Sequence, residues 1–309
     1  MIIHYNLDLS GPVGKSVITM GSFDGVHLGH RKILGKVAET AVDLGVESVL
    51  ITFDIHPRKV LQQGDPPPRL LTTPDERRRI FEEIGIDHLV CLSFNEELAS
   101  MEAETFIRKV FVEHLHATKI ITGFGHRFGK GGKGNHDLLV RESIKYGFEA
   151  EMIPMQDIQD NMISSTLIRK LLEQEGDVAE ARRYLGYAYP LTGIVTHGSH
   201  IGKGIGFPTA NLLPIHPEKL IPADGVYAVK AMLNFVEYKG MMNIGIRPTI
   251  NGRDKTIEVH LFGFDNEVYG EEISVTFEHR IRDERKFESL DALRAQLVKD
   301  SRQAQALLA

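Results

Sequence analysis

The sequence predicts two folded units in tandem: an α/β unit built on a parallel sheet, then an all-β unit. Three observations predict it. Up to about position 185, the chain alternates strand-like and helix-like stretches. After about Tyr187 the apolar period shortens to two, with turns between short runs. The length, 309 residues, suits two domains of about 100–200 residues each. The boundary is expected at 186–190, giving units 1–186 and 187–309.

In the first unit, residues 16–20 read as a short strand and 21–29 are glycine-rich. A helix pattern follows from about His30, with Ile33, Leu34, Val37, Ala41 and Val42 sharing one face. Residues 47–53 are strand-like, and Pro74 opens a charged helix where a first turn tolerates proline. Then come a strand at 88–92, a helix at 102–115 and a strand at 119–122. Five such strands, ending near Ile153 and separated by helices, imply right-handed crossovers and a parallel sheet. In the second unit, Ile257, Val259 and Leu261 alternate with Glu258 and His260, and Ile273, Val275 and Phe277 with Ser274 and Thr276. Such short alternating runs suggest an antiparallel sandwich or barrel. A closing helix carries the stripe Leu290, Leu293, Leu297.

The formal net charge of -6 argues against a nucleic-acid partner, though a local basic loop still serves a phosphate ligand. Cys91 is the single cysteine, so no internal disulfide forms and a reducing, cytoplasmic compartment fits. Its apolar neighbours mark it as a small hydrophobe, not a nucleophile. No apolar run approaches the length of a membrane span, and the N-terminus lacks signal-peptide regions. The expected partners are small molecules, with no nucleic acid and no membrane; a homo-oligomer is compatible with the sequence.

Gly21-Ser22-Phe23-Asp24-Gly25-Val26-His27-Leu28-Gly29-His30 falls between the first strand and its helix. In an open α/β sheet, ligands bind at the carboxyl ends of strands. Glycines admit a phosphate close to the backbone, and the helix start offers free N–H groups. His27 and His30, three apart, share one face of the first turn and suit a phosphate chain. Glycine at such a turn also has a purely geometric reading. Gly11-Pro12-Val13-Gly14-Lys15-Ser16 ends like a P-loop, but position 9 is Leu9 and a strand follows, so it is rejected. The stretch 123–135 follows a strand and is basic and glycine-rich, as a solvated loop or a phosphate cradle would be.

The string Gly-x-Phe-Asp-Gly-x-His-x-Gly-His resembles the nucleotidyltransferase signature in its FAD synthetase form. Ile163-Ser164-Ser165-Thr166-Leu167-Ile168-Arg169 is similar to that family's second nucleotide motif. Gly193–Asn211, ending Gly206-Phe207-Pro208-Thr209-Ala210-Asn211, resembles the riboflavin kinase signature. Nearly the whole chain is thus similar to the bacterial bifunctional riboflavin kinase and FAD synthetase family. It departs from the family at Gly125, where an acidic or amide residue is usual, at Ile55 for proline and at Lys203 for arginine.

The resemblance implies a Rossmann-like nucleotidyltransferase sheet, then a small antiparallel riboflavin kinase-like β-barrel with a terminal helix. It implies two reactions: ATP phosphorylates riboflavin to FMN in 187–309, and ATP adenylylates FMN to FAD in 1–186, releasing pyrophosphate. Riboflavin, FMN and ATP are the implied ligands, with Mg²⁺ as cofactor. It assigns His27 and His30 to the reacting phosphates. Nucleotide contacts fall to Gly21, Phe23, Asp24, Gly25, Gly29, Ser164, Ser165, Thr166, Arg169, Gly198, Gly202 and Lys203. Phe124, Arg127 and Phe128 form a flavin-side loop, Thr209 and Asn211 hold the metal, and Glu258 is the kinase base. Two rivals are an adenylyltransferase for another phosphorylated substrate and a non-catalytic flavin-binding protein. The kinase-like half counts against the first, and retention of His27, His30, Thr209, Asn211 and Glu258 against the second.

Overall fold

The computed structural model describes residues 1–6, 13–54, 67–158, 161–197, 201–249 and 252–309. The chain divides into two compact units, Met1–Ser164 and Ser165–Ala309.

The first unit holds β1 (Ile2–Tyr5), β2 (Ser16–Met20), α1 (Leu28–Leu44), β3 (Glu47–Phe53), α2 (Pro74–Ile84) and β4 (His88–Leu92). It continues with α3 (Glu96–Ser100), α4 (Ala103–Phe106), β5 (Ala117–Gly123), α5 (His136–Tyr146), β6 (Glu149–Ile153) and a small hairpin of β7 (Asp157–Ile158) and β8 (Asn161–Met162). Helix α4 runs on into wider turns over Ile107–His114. The sheet order is β1-β4-β3-β2-β5-β6, all parallel. A sixth strand thus joins the five expected. β1 was missed because its apolar stretch is only Ile2-Ile3; its anchor is the buried His4, stacked on His88 at 5.2 Å.

Central strands β2 and β3 are buried on both faces, as a sheet covered by helices requires. Ile18, Val49, Ile51 and Val90 meet Phe106, Val110, Phe111 and Leu115 in one core. Helix α1 starts two residues before His30, at Leu28, and its buried face is Leu34, Val37, Thr40 and Ala41. Val42, expected on that face, is 80% exposed. Thr73 caps α2 in a reciprocal box with Glu76, and Pro74 occupies its first turn. Chain order reverses at β2, whose neighbours are β3 and β5. The crevice beyond the carboxyl ends of β2 and β5 is therefore the switch point where such sheets take ligands. At the edge, β6 carries Glu149 and Glu151, both paired with Lys119 of β5, at 3.4 and 2.7 Å.

The second unit opens with α6 (Ser165–Lys170) and α7 (Val178–Leu185). Arg182 of α7 pairs with Glu278 in the barrel, and the Leu172 carbonyl, between the two helices, accepts the Ala223 N–H at 2.8 Å. Strands β9 (Tyr189–Thr196), β10 (Ala210–Pro214), β11 (Gly225–Leu233), β12 (Val236–Thr249), β13 (Gly252–Leu261) and β14 (Glu272–Arg282) follow, then α8 (Leu290–Leu307). They close a barrel in the order β10-β13-β12-β11-β14-β9, which resolves the choice between sandwich and barrel. Helix α8 seats Ala304 and Leu308 against Ala228 and Met241. Leu293 and Leu297 of the expected stripe line a cavity, while Leu290 is 59% exposed.

One ion pair fixes α8 to the barrel. Asp300 is 1% exposed and takes the Arg282 guanidinium in a fork, with Nε at 3.0 and 3.1 Å and Nη2 at 2.8 Å. Gln296 adds a bond to the same carboxylate at 2.7 Å. Removing one partner strands the other charge, which typically costs about 3–5 kcal/mol. Asp300→Ala is therefore expected to lower unfolding free energy by about that amount in a urea titration.

Candidate active sites

The first site is built by a strained turn. The Val26 N–H donates to the Phe23 carbonyl at 3.0 Å, closing the turn 23–26. Phe23 and Val26 hold φ of +45° and +31°, a region costly for any side chain and most for a β-branched one. Both side chains are buried, so core packing holds the backbone there. Asp24, 2% exposed, accepts from the Leu71 and Thr72 N–H groups at 3.1 and 2.9 Å and from the Thr72 hydroxyl at 3.1 Å. The Gly25 N–H donates to the Thr72 hydroxyl at 2.9 Å, and Arg77 donates to the Ser22 carbonyl at 2.6 Å. Asp24 thus shapes the turn from below. Thr72 and Arg77 are functional supports the sequence reading missed, because nothing local marks residues some 50 positions away.

The turn delivers His27 as the N-cap of α1, with Nδ1 accepting the His30 N–H at 3.2 Å. Its Nδ1 is therefore an acceptor and its Nε2 carries the hydrogen. A Cβ at Gly29 would lie 3.2 Å from that Nδ1, so glycine gives the ring room to fold back. The rings of His27 and His30 stack at 3.6 Å, 17° from parallel. His30 Nδ1 is buried without a hydrogen-bond partner. Burial first, then the His27 ring, hold the His30 pKa well below the ordinary value. The rings are thus a pre-stacked pair, with His30 held neutral, at the positive end of a 17-residue helix, suited to an anion.

Beside it lies a cavity of about 580 Å³ lined by Gly21, Ser22, Phe53, Phe94, His126 and Phe128, among others. Phe128 is 6% exposed and rests on Phe106 and Phe111, and His126 stacks on it at 5.9 Å. The loop from Gly123 is therefore anchored: Phe128 and Gly134 bridge, and Lys130 pairs with Glu102 at 3.0 Å. Arg127 lines the cavity, whereas Phe124 is 61% exposed and does not. Burial also pushes the half-buried Cys91 thiol up, consistent with an inert side chain. Ser164 closes the first unit, while Ser165, Thr166 and Arg169 ride on α6 of the second. Gly198 and Ile55 lie outside the described residues, and Lys203 is placed by its backbone in a single helical turn, Ile201–Gly204.

The second site follows from barrel register. Asn211 of β10 is directly opposite Glu258 of β13, and Glu258 is opposite Asn243 of β12. Val226 of β11 opposes Asn243 and also Arg282 of β14, so one transverse row runs Asn211, Glu258, Asn243, Val226, Arg282. Directly opposed residues share a face. Asn243 and Arg282 fall in stretches that resemble the kinase family, but only the pairing shows that they share this row. Glu258, Asn243, His260, Met241, Leu293 and Leu297 line a cavity of about 250 Å³. A second cavity, about 390 Å³, is lined by Val195, Pro208, Ala210, Asn266 and Tyr269, among others. Thr209 lines both. A Cβ at Gly202 would sit 2.3 Å from the Phe207 carbonyl oxygen and 3.3 Å from Thr209 Oγ1, so only glycine fits over that wall. Among the described residues, no group of three or more His, Cys, Asp or Glu could hold a metal. The oxygens of Thr209 and Asn211 are neutral, which suits a hard cation whose other ligands are phosphate oxygens.

A nucleotidyltransferase-type α/β site followed by a six-stranded barrel with an opposed amide and carboxylate defines the class. The FAD synthetase family model matches residues 12–167 and the riboflavin kinase model residues 185–308. The chain belongs to the bifunctional riboflavin kinase/FMN adenylyltransferase family. It is 38% identical to such a protein of Bacillus subtilis, covering 94% of this chain and 92% of that one. It is 35% identical to the Escherichia coli K12 protein of the same name, covering 94% and 91%. A solved structure described as a macrolide-efflux protein of Streptococcus pneumoniae is 32% identical, with a TM-score of 0.87 over 97% of both chains. Among the described residues of this chain, no helix is long and apolar enough to cross a membrane.

His30 and His126 set a pH dependence. Burial holds both neutral, His126 at about 4. The unfolded chain binds their protons near 6.5, so stability is fully present above 6.5 and is lost as pH falls toward the folded values. The first unit's melting temperature is expected to fall by roughly 5–10 °C between pH 7 and 5, and by less in His126→Phe, measured by calorimetry.

Proposed function

We propose that residues 187–309 phosphorylate riboflavin to FMN and that residues 1–186 transfer AMP from ATP to FMN, giving FAD and pyrophosphate. The observation that carries the kinase half is the direct opposition of Glu258 and Asn211, with Thr209 forming the wall between two cavities. ATP is assigned to the larger of these and the flavin to the smaller, so that its primary hydroxyl meets the γ-phosphate above Thr209. Glu258 takes the hydroxyl proton as the oxygen attacks phosphorus, and ADP leaves. Thr209 and Asn211 would hold Mg²⁺, which when bound offsets phosphate charge. Gly198, Gly202 and Lys203 are assigned to the ATP phosphates.

In the other half, the FMN phosphate is already anionic and attacks the α-phosphorus of ATP without a protein nucleophile. His27 and His30 donate hydrogen bonds to the phosphates, with Gly21, Gly25 and Gly29 admitting them close to the backbone. Phe23 and Asp24 act by holding that turn. The motif residues Ser164, Ser165, Thr166 and Arg169 are assigned to ATP phosphates by their resemblance to the family's second nucleotide motif. The aromatic cavity with Arg127 and Phe128 is assigned to the flavin ring, and Phe124, exposed on the same loop, to the flavin side outside that cavity. The single cysteine fits a reducing, cytoplasmic setting.

A chromatographic assay with riboflavin, ATP and Mg²⁺ tests both halves. FMN is expected first, then FAD; absence of both products overturns the proposal. Glu258→Gln is expected to cut FMN formation by about 10²–10⁴-fold while FAD formation from supplied FMN persists. His30→Ala is expected to do the reverse, and loss of both activities in either variant would refute separate sites. Gly202→Ala, which drives a methyl into the Phe207 carbonyl, is expected to abolish FMN formation alone.

A further inference from the structure

Strand β10 pairs with β13 at only two positions, Ala210 with Val259 and Asn211 with Glu258. Toward the amino end the backbone ladder stops, and the next residue is Thr209. Pro208 has no N–H with which to extend it. At that point a side chain takes over. His260 Nδ1 lies 2.7 Å from the Pro208 carbonyl oxygen, 52 residues away in sequence. A carbonyl only accepts, so Nδ1 carries the hydrogen. The imidazole is held edge-on by Phe207 at 5.3 Å and by Phe262 at 5.7 Å. His260 is two residues from Glu258 on one strand, so both face the same way, and both line the smaller cavity.

We propose that His260 is a positioning residue for phosphoryl transfer: its bond to Pro208 locks the Thr209 segment to the strand that carries Glu258. The bond replaces the missing ladder pair where the chain turns from Phe207 to Thr209. It fixes the Pro208–Thr209 peptide, and with it the Thr209 hydroxyl, relative to the base two residues along β13. The other side of the same segment is held by the Phe207 N–H, which donates to the Gly202 carbonyl at 2.8 Å. Released from His260, the Thr209 hydroxyl keeps its chemistry but loses its register, and a misplacement of about 1 Å at a reacting centre costs on the order of 10²-fold in rate. The proposal rests on the reading of Thr209 and Asn211 as the metal side of the kinase site.

The test uses the full chain and variants that separate the hydrogen bond from the ring. His260→Phe keeps ring volume and the aromatic contacts but loses the donor. His260→Asn places an amide N–H where Nδ1 stands, and His260→Gln places it one atom farther out. We expect His260→Phe and His260→Gln to lower kcat for FMN formation about 10–100-fold, with the riboflavin KM within about threefold and the Mg²⁺ requirement raised. His260→Asn should recover to within about threefold of the parent. FAD formation from supplied FMN should be unchanged in all three. Independently of activity, hydrogen–deuterium exchange of the peptide covering 205–212, without ligand, should be faster in the Phe and Gln variants and restored in Asn. Equal impairment of the Asn and Phe variants, or unaltered exchange in Phe, overturns the proposal. Thr209→Ala serves as the reference: if it leaves the Mg²⁺ requirement unmoved, the metal reading fails and the proposal with it. If Thr209→Ala shifts that requirement and His260→Phe leaves kcat intact, the proposal alone fails.

Discussion

Register in the barrel is the constraint on which the second site depends. β13 is paired on both sides, with β10 and with β12, so its side chains cannot change faces without breaking two ladders. A slip of one residue would turn Glu258 away from Asn211 and Asn243 and put Val259 in its place. The chemistry of the site is therefore stored in backbone hydrogen bonds. The side chains need only be the right kind at positions already facing each other. The buried fork between Arg282 and Asp300 then brings α8 over the same row, and its Leu293 and Leu297 complete the apolar wall.

The first unit solves a different problem. A parallel sheet offers its ligand crevice where chain order reverses, here at β2 and β5, and the two chemically rich loops leave from those two strands. The turn 23–26 pays for its shape with left-handed backbone at Phe23 and Val26. Core burial of those side chains and the Asp24–Thr72 bonds over-determine it. What emerges is a helix start with two stacked imidazoles, of which His30 is kept neutral by burial and by the His27 ring.

Much of this was legible before any coordinates. Period-two runs at 257–261 and 273–277 became β13 and β14, and the glycine-rich stretch after β2 proved to lead into α1. The motif residues could be found because their chemistry is packed into short strings. The remainder was hidden for physical reasons. β1 is too short to show a period, and its stabilising residue is a histidine, not an apolar side chain. Asp24 looks like a ligand-facing carboxylate in the string, but its partners, Leu71 and Thr72, lie in another segment. That Asn243 opposes Glu258 shows only in the pairing, and His260 becomes meaningful only through a bond spanning 52 residues. The charged run before α8 supplies Arg282 to a buried carboxylate on that helix, a pairing no local pattern announces.

The two sheets also differ in how they end. The barrel closes on itself, so every strand has neighbours on both sides. Among the described residues, the parallel sheet ends at two margins, β1 and β6. On β6, Glu149 and Glu151 set negative charge along the margin, where an added strand would have to desolvate it. On β1, the outward residues are Ile2, 55% exposed, and Tyr5, 69% exposed, with no charge among the four. Among the described residues, charge thus opposes strand addition at the β6 margin and not at β1, so during refolding at high concentration β1 is the strand less guarded against self-association.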